Sequence, residues 1–306
     1  EDGMCPDPAD EVLLYQGLVG AWPLSLRLDD QKALADLKTR IQRWFLEAVR
    51  HSGRRTRWLF GNEAYERGCA RFVDLLLLDP MAQTARGLLA AFVERVSLPG
   101  AINAYGALTL KCMMPGVPEI YQGTEHWDFA LGDPDNRRAV DFGGRGAALA
   151  AALRPDVLLQ TWPDGRAKQA LMSRLLRVRA AVPTVFSHGS YEPLVVEGMR
   201  EESALAFLRR HGDKVVIVAI TRMSMHLLGP GAMPPRVPTV RWGDTGIALP
   251  EGLEGPFRDI VSSREVETSL RRLDVGDLFS VFPVSVLVKS GSIPADPNEA
   301  KRSRSH

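Results

Sequence analysis

The sequence predicts an α/β segment followed by an antiparallel β segment, and three observations predict it. Apolar residues recur at helical spacing through most of the chain before Ala181. A run of small and apolar residues, Ile102 to Met114, feeds a short strand candidate, Val117 to Tyr121, and then a long polar loop, Thr124 to Asp141. From about residue 190 the period becomes that of strands rich in Val, Ile, Leu and Phe. A largely apolar helix, a short strand and a polar loop at the strand's carboxyl end make up the repeat of a βα-barrel, which places function in that loop. The expected organisation is therefore 1–185 as the end of a barrel with a helical subdomain and 186–292 as a small antiparallel β-sandwich. A polar, basic tail at 293–306 is expected to be disordered.

Taken in order, Val12, Leu14 and Leu18 predict a first helix, stopped at Ala21-Trp22-Pro23. Leu34, Leu37, Ile41, Trp44, Phe45 and Ala48 predict a second, from about Lys32 to Val49. Asn62 is the expected N-cap of a third, with Tyr65, Cys69, Phe72, Val73 and Leu76 buried and Asp79-Pro80 as the stop. Leu88, Leu89, Phe92, Val93 and Val96 carry the pattern to Pro99-Gly100, where a helix is expected to end before Ile102 starts the next. Pro118 weakens the Val117–Tyr121 strand, because proline supplies no ladder N–H. A helix from Lys168 to Ala181 precedes strands at 193–196, 204–209, 215–221, 237–242, 257–261 and 284–289. Trp22, Trp44 and Trp58 read as helix-packing residues and Met113-Met114 as core filling.

Composition narrows the partners. With 38 Lys and Arg against 37 Asp and Glu, the net charge is +1, too small a basic excess for a nucleic-acid or anionic-membrane footprint. No apolar run is long enough to cross a bilayer. Cys5, Cys69 and Cys112 form no C-x-x-C pair and read as free thiols, which suits a reducing cytoplasm. Glu1-Asp2-Gly3-Met4 lacks the features of a signal peptide and reads as the continuation of something longer. No cluster has metal-ligand spacing, and no cofactor motif occurs.

The loop from Thr124 to Asp141 concentrates carboxylates, guanidiniums, an amide and an indole. Carboxylates and arginine forks meet paired sugar hydroxyls, and aromatic rings stack on sugar faces. Asp133 and Arg137 are spaced to pair across a proline-containing turn while still offering groups to a sugar. The same residues also suit a solvated loop laced by its own salt bridges. Tyr121 and Gln122 divide between packing and a pocket floor, and Trp127 between a sugar platform and a loop anchor. Glu119 suits an ion pair, Glu125 either that or the pocket, and His126 a hydrogen bond within the loop.

Pro115-Gly116-Val117-Pro118-Glu119-Ile120-Tyr121-Gln122-Gly123-Thr124-Glu125, followed by Asp133-Pro134-Asp135-Asn136-Arg137-Arg138 and Val140-Asp141, resembles the maltooligosyl trehalose synthase family. That family is a branch of glycoside hydrolase family 13, the α-amylase superfamily. Other resembling stretches are Asp10 to Gln16, Gly20 to Pro23, Asn62 to Glu66, Asp164 to Lys168 and Gly189 to Leu194. They run in the family's order from about Asp7 to about Val288. Ala139 stands where the family usually has proline, and Val286 departs from its usual P-V-A-L-L segment.

The resemblance implies the carboxyl-terminal portion of a (β/α)8 barrel, with helical insertions and a following β-sandwich. It implies an intramolecular transglucosylase acting on maltooligosaccharides, without a cofactor, at the reducing-end bond. It also implies that the nucleophilic Asp, the acid/base Glu and a third Asp lie upstream, the third in an H-D-T-K-R-x-E-D motif. No H-D-T-K-R run occurs here, so no catalytic residue is assigned, and the missing upstream portion is an expected partner. The substrate-binding residues expected are Asp133, Arg137, Asn136, Asp135, Arg138, Tyr121, Gln122, Glu125, Trp127, Asp141 and Lys168. The resemblance gives Asp133 and Arg137 the clearest role, holding sugar on the non-reducing side of the cleavage point. Other possibilities are a hydrolase or glucosidase of the same superfamily, and a glucan-binding module built on the sandwich. Tyr191, Phe207 and Trp242 would be that module's platforms.

Overall fold

The computed structural model describes residues 5–151, 153, 155–229 and 233–289, so the expected tail at 293–306 lies outside the described residues. The chain divides into two compact units. One comprises Glu1–Ser97 with Asp128–Val140, the other Leu98–Trp127 with Asp141–His306.

The first unit is helical. It holds α1 (Pro8–Ala21), α2 (Gln31–Ser52), α3 (Glu63–Leu78) and the start of α4 (Gln83–Met113). Side chains cap the starts: Asp7 accepts from Ala9 and Asp10, Asp30 from Ala33, and Asn62 from Tyr65. Each such cap satisfies a backbone N–H that the helix cannot, and stabilises it by about 1 kcal/mol. Leu14, Leu18, Leu37, Ile41, Phe45, Tyr65, Cys69 and Val73 form the core. Trp44 lies over Gly17, where a Cβ would come within 2.3 Å of the indole and push the ring aside. Trp22 and Trp44 therefore pack between helices as expected. Trp58 does not: it is 53% exposed, on the loop after α2, with Arg50 over its ring and His51 at its edge.

Arginines hold the unit's buried carboxylates. Hydrogen bonds from Arg50 depress the Glu66 pKa against the effect of burial, with help from Thr56. The Asp10 N–H does the same for Asp7, also against burial, joined by Arg55 and Arg54. Folded values below the ordinary 3.8 and 4.5 give stability that is present above those values and lost as pH falls through the folded ones. The thermal midpoint of this unit is therefore expected to drop between about pH 5 and about pH 3. A midpoint constant over that range, followed by circular dichroism at 222 nm, would contradict it.

Helix α4 differs from expectation. It runs through Pro99 rather than ending there. An internal proline costs about 3 kcal/mol, and a fully buried large apolar side chain returns about 1.5–3 kcal/mol. Ile102, Tyr105, Cys112 and Met113, all buried beyond the proline, offset it. Leu88 and Phe92, expected in the buried stripe, are exposed, and Val93 is the buried residue.

The second unit adds α5 (Phe142–Ala151), α6 (Pro155–Gln160), α7 (Arg166–Ala181), α8 (Pro183–Ser187) and α9 (Val275–Leu278). Its strands are β1 (Ser190–Leu194), β2 (Val196–Glu197), β3 (Ala204–His211), β4 (Lys214–Thr221) and β5 (Gly246–Ala248). β6 (Phe257–Asp259), β7 (Glu265–Val266), β8 (Arg272–Asp274) and β9 (Val284–Lys289) complete them. Six strands form one sheet in the order β1-β3-β4-β9-β6-β7, and three form another, β2-β5-β8. Leu208, Ile217 and Leu287, in register across β3, β4 and β9, share a core with Trp242, Ile247 and Phe279. The opposite face of the same strands, Phe207, Val218 and Val286, is buried too. Small residues on α4 permit its approach: a Cβ at Gly106 would stand 3.3 Å from Ile220.

Among the described residues every strand pair is antiparallel. Two expected strands do not form. Val117–Tyr121 is irregular, with Val117 93% exposed, because no neighbouring strand among the described residues offers it a ladder. Thr239–Trp242 is a 3-10 turn instead, and Trp242 is buried as a core anchor.

Candidate functional site

The loop predicted from Thr124 to Asp141 is irregular except for one 3-10 turn, Asp135–Arg137. Its central part belongs to the first unit. There Arg137 donates to Asp133 at 2.6 Å across a cis Asp133-Pro134 bond, and both side chains stay open to solvent. The expected pair is thus formed on the exposed side of the turn. Asp135, two residues on, turns inward. Its side chain is 6% exposed and accepts from Arg40 Nε at 3.0 Å, Arg40 Nη2 at 2.9 Å and the Leu131 N–H at 2.9 Å. Arg40 also donates to the Phe129 carbonyl. Arg138 bonds the Asp135 carbonyl and lies 3.5 Å from Asp128, while Asn136 buries a carboxamide oxygen that accepts no hydrogen bond among the described residues.

The two aspartates therefore differ in chemistry despite their spacing. Burial works to raise the Asp135 pKa, but Arg40 and the Leu131 N–H outweigh it and hold the value below 3.8. Its carboxylate is a structural anion with its oxygens occupied. Replacing Asp135 by Ala leaves the Arg40 guanidinium buried without its partner, and breaking a buried pair costs about 3–5 kcal/mol. Arg40 is 19% exposed, so the loss expected in urea unfolding lies at the lower end, about 3 kcal/mol. A change below about 1 kcal/mol would return the pair to the weak class of surface bridges.

The ends of the loop belong to the second unit. Arg145, on α5, donates to the Glu125 carboxylate at 3.1 Å, the Gly123 carbonyl at 2.7 Å and the Asp141 carbonyl at 3.2 Å. Asp141 accepts from the Gly144 N–H and so starts α5. Trp127 is an anchor: its indole donates to the Trp162 carbonyl at 2.6 Å and lies against Tyr105 and Trp162. Lys168 donates to the His126 carbonyl and sits 5.4 Å above the Trp127 ring. The His126 ring meets Gln169 at 2.8 Å, as a loop hydrogen bond. Gly165, at φ 79°, passes within 2.7–2.9 Å of Trp127 and His126 measured from a would-be Cβ, a closeness only glycine permits. Tyr121 and Gln122 are exposed, and Glu119 is exposed rather than buried in an ion pair.

Sequence reasoning missed Arg40, Arg145 and Gln169. Arg40 sits in the predicted second helix beside the stripe residue Ile41, and a charge there gave no sign of a partner 95 residues away. Arg145 lies on a helix hidden by Gly143, Gly144 and Gly146. Two of the three suggested platforms in the sandwich are closed: Phe207 and Trp242 are fully buried, leaving Tyr191. Among the described residues no group of acidic, histidine or cysteine side chains could hold a metal ion, and no helix is long and apolar enough to cross a membrane.

No family model matches the chain. It is 30% identical over 287 residues to a Mycobacterium tuberculosis protein provisionally named maltooligosyl trehalose synthase, found alike in strains CDC 1551 and H37Rv. That match covers 94% of this chain and 32% of the relative. The structure of maltooligosyltrehalose synthase from Arthrobacter ramosus is 31% identical, with a TM-score of 0.71 over 92% of this chain and 32% of that one. A further crystal structure of a maltooligosyl trehalose synthase, 24% identical with a TM-score of 0.63, shares the fold. The chain thus spans about a third of the length of the relatives it matches.

Proposed function

We infer that this chain, the counterpart of about a third of maltooligosyl trehalose synthases along 94% of its own length, is part of such an enzyme. The whole enzyme converts the reducing-end α-1,4 bond of a maltooligosaccharide to an α,α-1,1 bond. The single observation that carries this reading is the Asp133–Arg137 pair, set on an exposed turn whose neighbour Asp135 is locked inward.

Retaining glycoside chemistry takes two carboxyl groups about 5–5.5 Å apart, a nucleophile and a proton donor. One carboxylate attacks the anomeric carbon as the α-1,4 bond breaks, and the acid protonates the leaving oxygen. The released glucose turns over, and its anomeric hydroxyl attacks the glycosyl-enzyme, returning its proton to the same group. Those two carboxylates belong to the upstream portion. This chain supplies the end of the barrel, with its substrate loop, and a β-sandwich. In the first unit Asp133 and Arg137 bind hydroxyls on the non-reducing side, on a turn that Arg40 holds through Asp135. In the second, Tyr121 and Gln122 are further substrate contacts on a segment that Arg145 fixes at Gly123. Its three free cysteines suit a cytoplasmic setting.

Product analysis of the complete enzyme on maltopentaose tests this. A non-reducing product of unchanged length is expected. Shorter reducing sugars as the main products would favour a hydrolase of the same superfamily. Maltoheptaose binding by a 185–290 piece would favour a glucan-binding module.

A further inference from the structure

Arg209, on β3, is 1% exposed and has no carboxylate partner among the described residues. Burial and the nearby Arg179 both push its pKa below the ordinary value. The charge is held by five backbone carbonyls. Nε donates to Ser190 at 2.8 Å, Nη1 to Met113 at 3.3 Å, and Nη2 to Val185 at 3.0 Å, Gly189 at 3.1 Å and Phe186 at 3.3 Å. Arg179, on α7, donates to the Cys112 carbonyl at 2.6 Å and the Gly116 carbonyl at 2.9 Å, and both guanidiniums lie over Phe186.

Two like charges this close repel, so something must favour them. The carbonyl end of α4, a 31-residue helix, supplies it through the negative pole of its dipole and its unpaired last carbonyls. Directly after that end comes the irregular segment 117–122, which no ladder holds. Its two flanks are nevertheless fixed: Gly116 by Arg179 and Gly123 by Arg145. Guanidinium–carbonyl bonds take the place that strand pairing would have.

We propose that Arg179 and Arg209 are positioning residues, through which α7 and the β-rich part of the chain set the segment bearing Tyr121 and Gln122. This rests on the function proposed above for that segment. The pair reaches that segment through the carbonyls of residues 112, 113 and 116, while the other carbonyls of Arg209 tie it to α8 and β1.

The test uses the complete enzyme with Arg209→Met, Arg209→Lys and Arg179→Met. Leu253→Ala serves as a control that loosens the same unit's core away from α4. Amide exchange of peptides spanning 110–124 is expected to rise about tenfold in both methionine variants, as local opening becomes easier. Their kcat on maltopentaose should fall about tenfold with KM changed less than threefold, and the share of released glucose should grow. Arg209→Lys, which keeps the charge but fewer donors, should fall between. Leu253→Ala should lower the melting temperature while leaving exchange at 110–124 and kcat unchanged. Methionine variants indistinguishable from Leu253→Ala would overturn the proposal. Should Arg209→Met not fold, Arg179→Met and Arg209→Lys decide it. A wild-type enzyme that forms no non-reducing product refutes the proposed reaction, while the exchange data still judge the clamp.

Discussion

Purified alone and supplied with maltopentaose, residues 1–306 are expected to form neither a non-reducing product nor shorter sugars. Covalent glycosyl transfer needs a nucleophile and a proton donor side by side, and subsite or scaffold residues cannot replace them. The more buried carboxylates of the loop are held by arginines, Asp135 by Arg40 and Glu125 by Arg145. The chain alone should also be poorly soluble. Val117, Phe142, Leu149, Leu88 and Phe92 are exposed, and apolar surface of this kind favours association. Adding the upstream portion, linked or as a separate piece, should restore both solubility and turnover. Chromatography resolving reducing from non-reducing products, run on each piece and on the mixture, reads the result. Robust turnover by the 306-residue chain alone would end the assignment and make Glu119, Glu125, Asp133, Asp135 and Asp141 the place to seek a catalytic pair.

Replacing Arg137 by Ala in the complete enzyme is expected to lower kcat/KM by about 10²-fold or more while barely changing stability. The two halves of that statement rest on one geometry. Arg137 is 70% exposed and Asp133 57%, so their 2.6 Å bridge is a solvent-screened one, of a class worth about 0–1 kcal/mol to folding. A guanidinium fork that orients a sugar in the bound state is worth far more to the reaction, because misplacement by about 1 Å can cost about 10²-fold. Asp133→Asn should follow the same pattern with a smaller loss, since an amide still accepts a hydroxyl hydrogen. Asp135→Ala should show the reverse, an unfolding effect first. Unchanged kinetics for Arg137→Ala would leave Asp133 and Arg137 as a surface bridge and remove them from the site.

Several features of this protein were legible along the sequence because they are local. Asn62 caps α3 because a short polar side chain can reach the N–H three residues on, at Tyr65. The unbroken run of β-branched residues from Val215 to Val218, continued by Ile220 and Thr221, gives a strand buried on both faces. The residues of the loop, from Asp133 to Arg138, carried the family likeness. Tertiary contacts decided the rest. Whether Pro99 stops a helix depends on what lies against the residues after it: Tyr105 packs against Trp127 and Phe282, the latter far along the chain. Whether Val117 to Tyr121 makes a strand depends on a neighbour to pair with. Asp133 and Asp135 are the same residue in the same loop, and nothing in their spacing says which turns inward. Arg40, 95 residues before Asp135, makes that choice, because a buried carboxylate is tolerable only where a partner already waits.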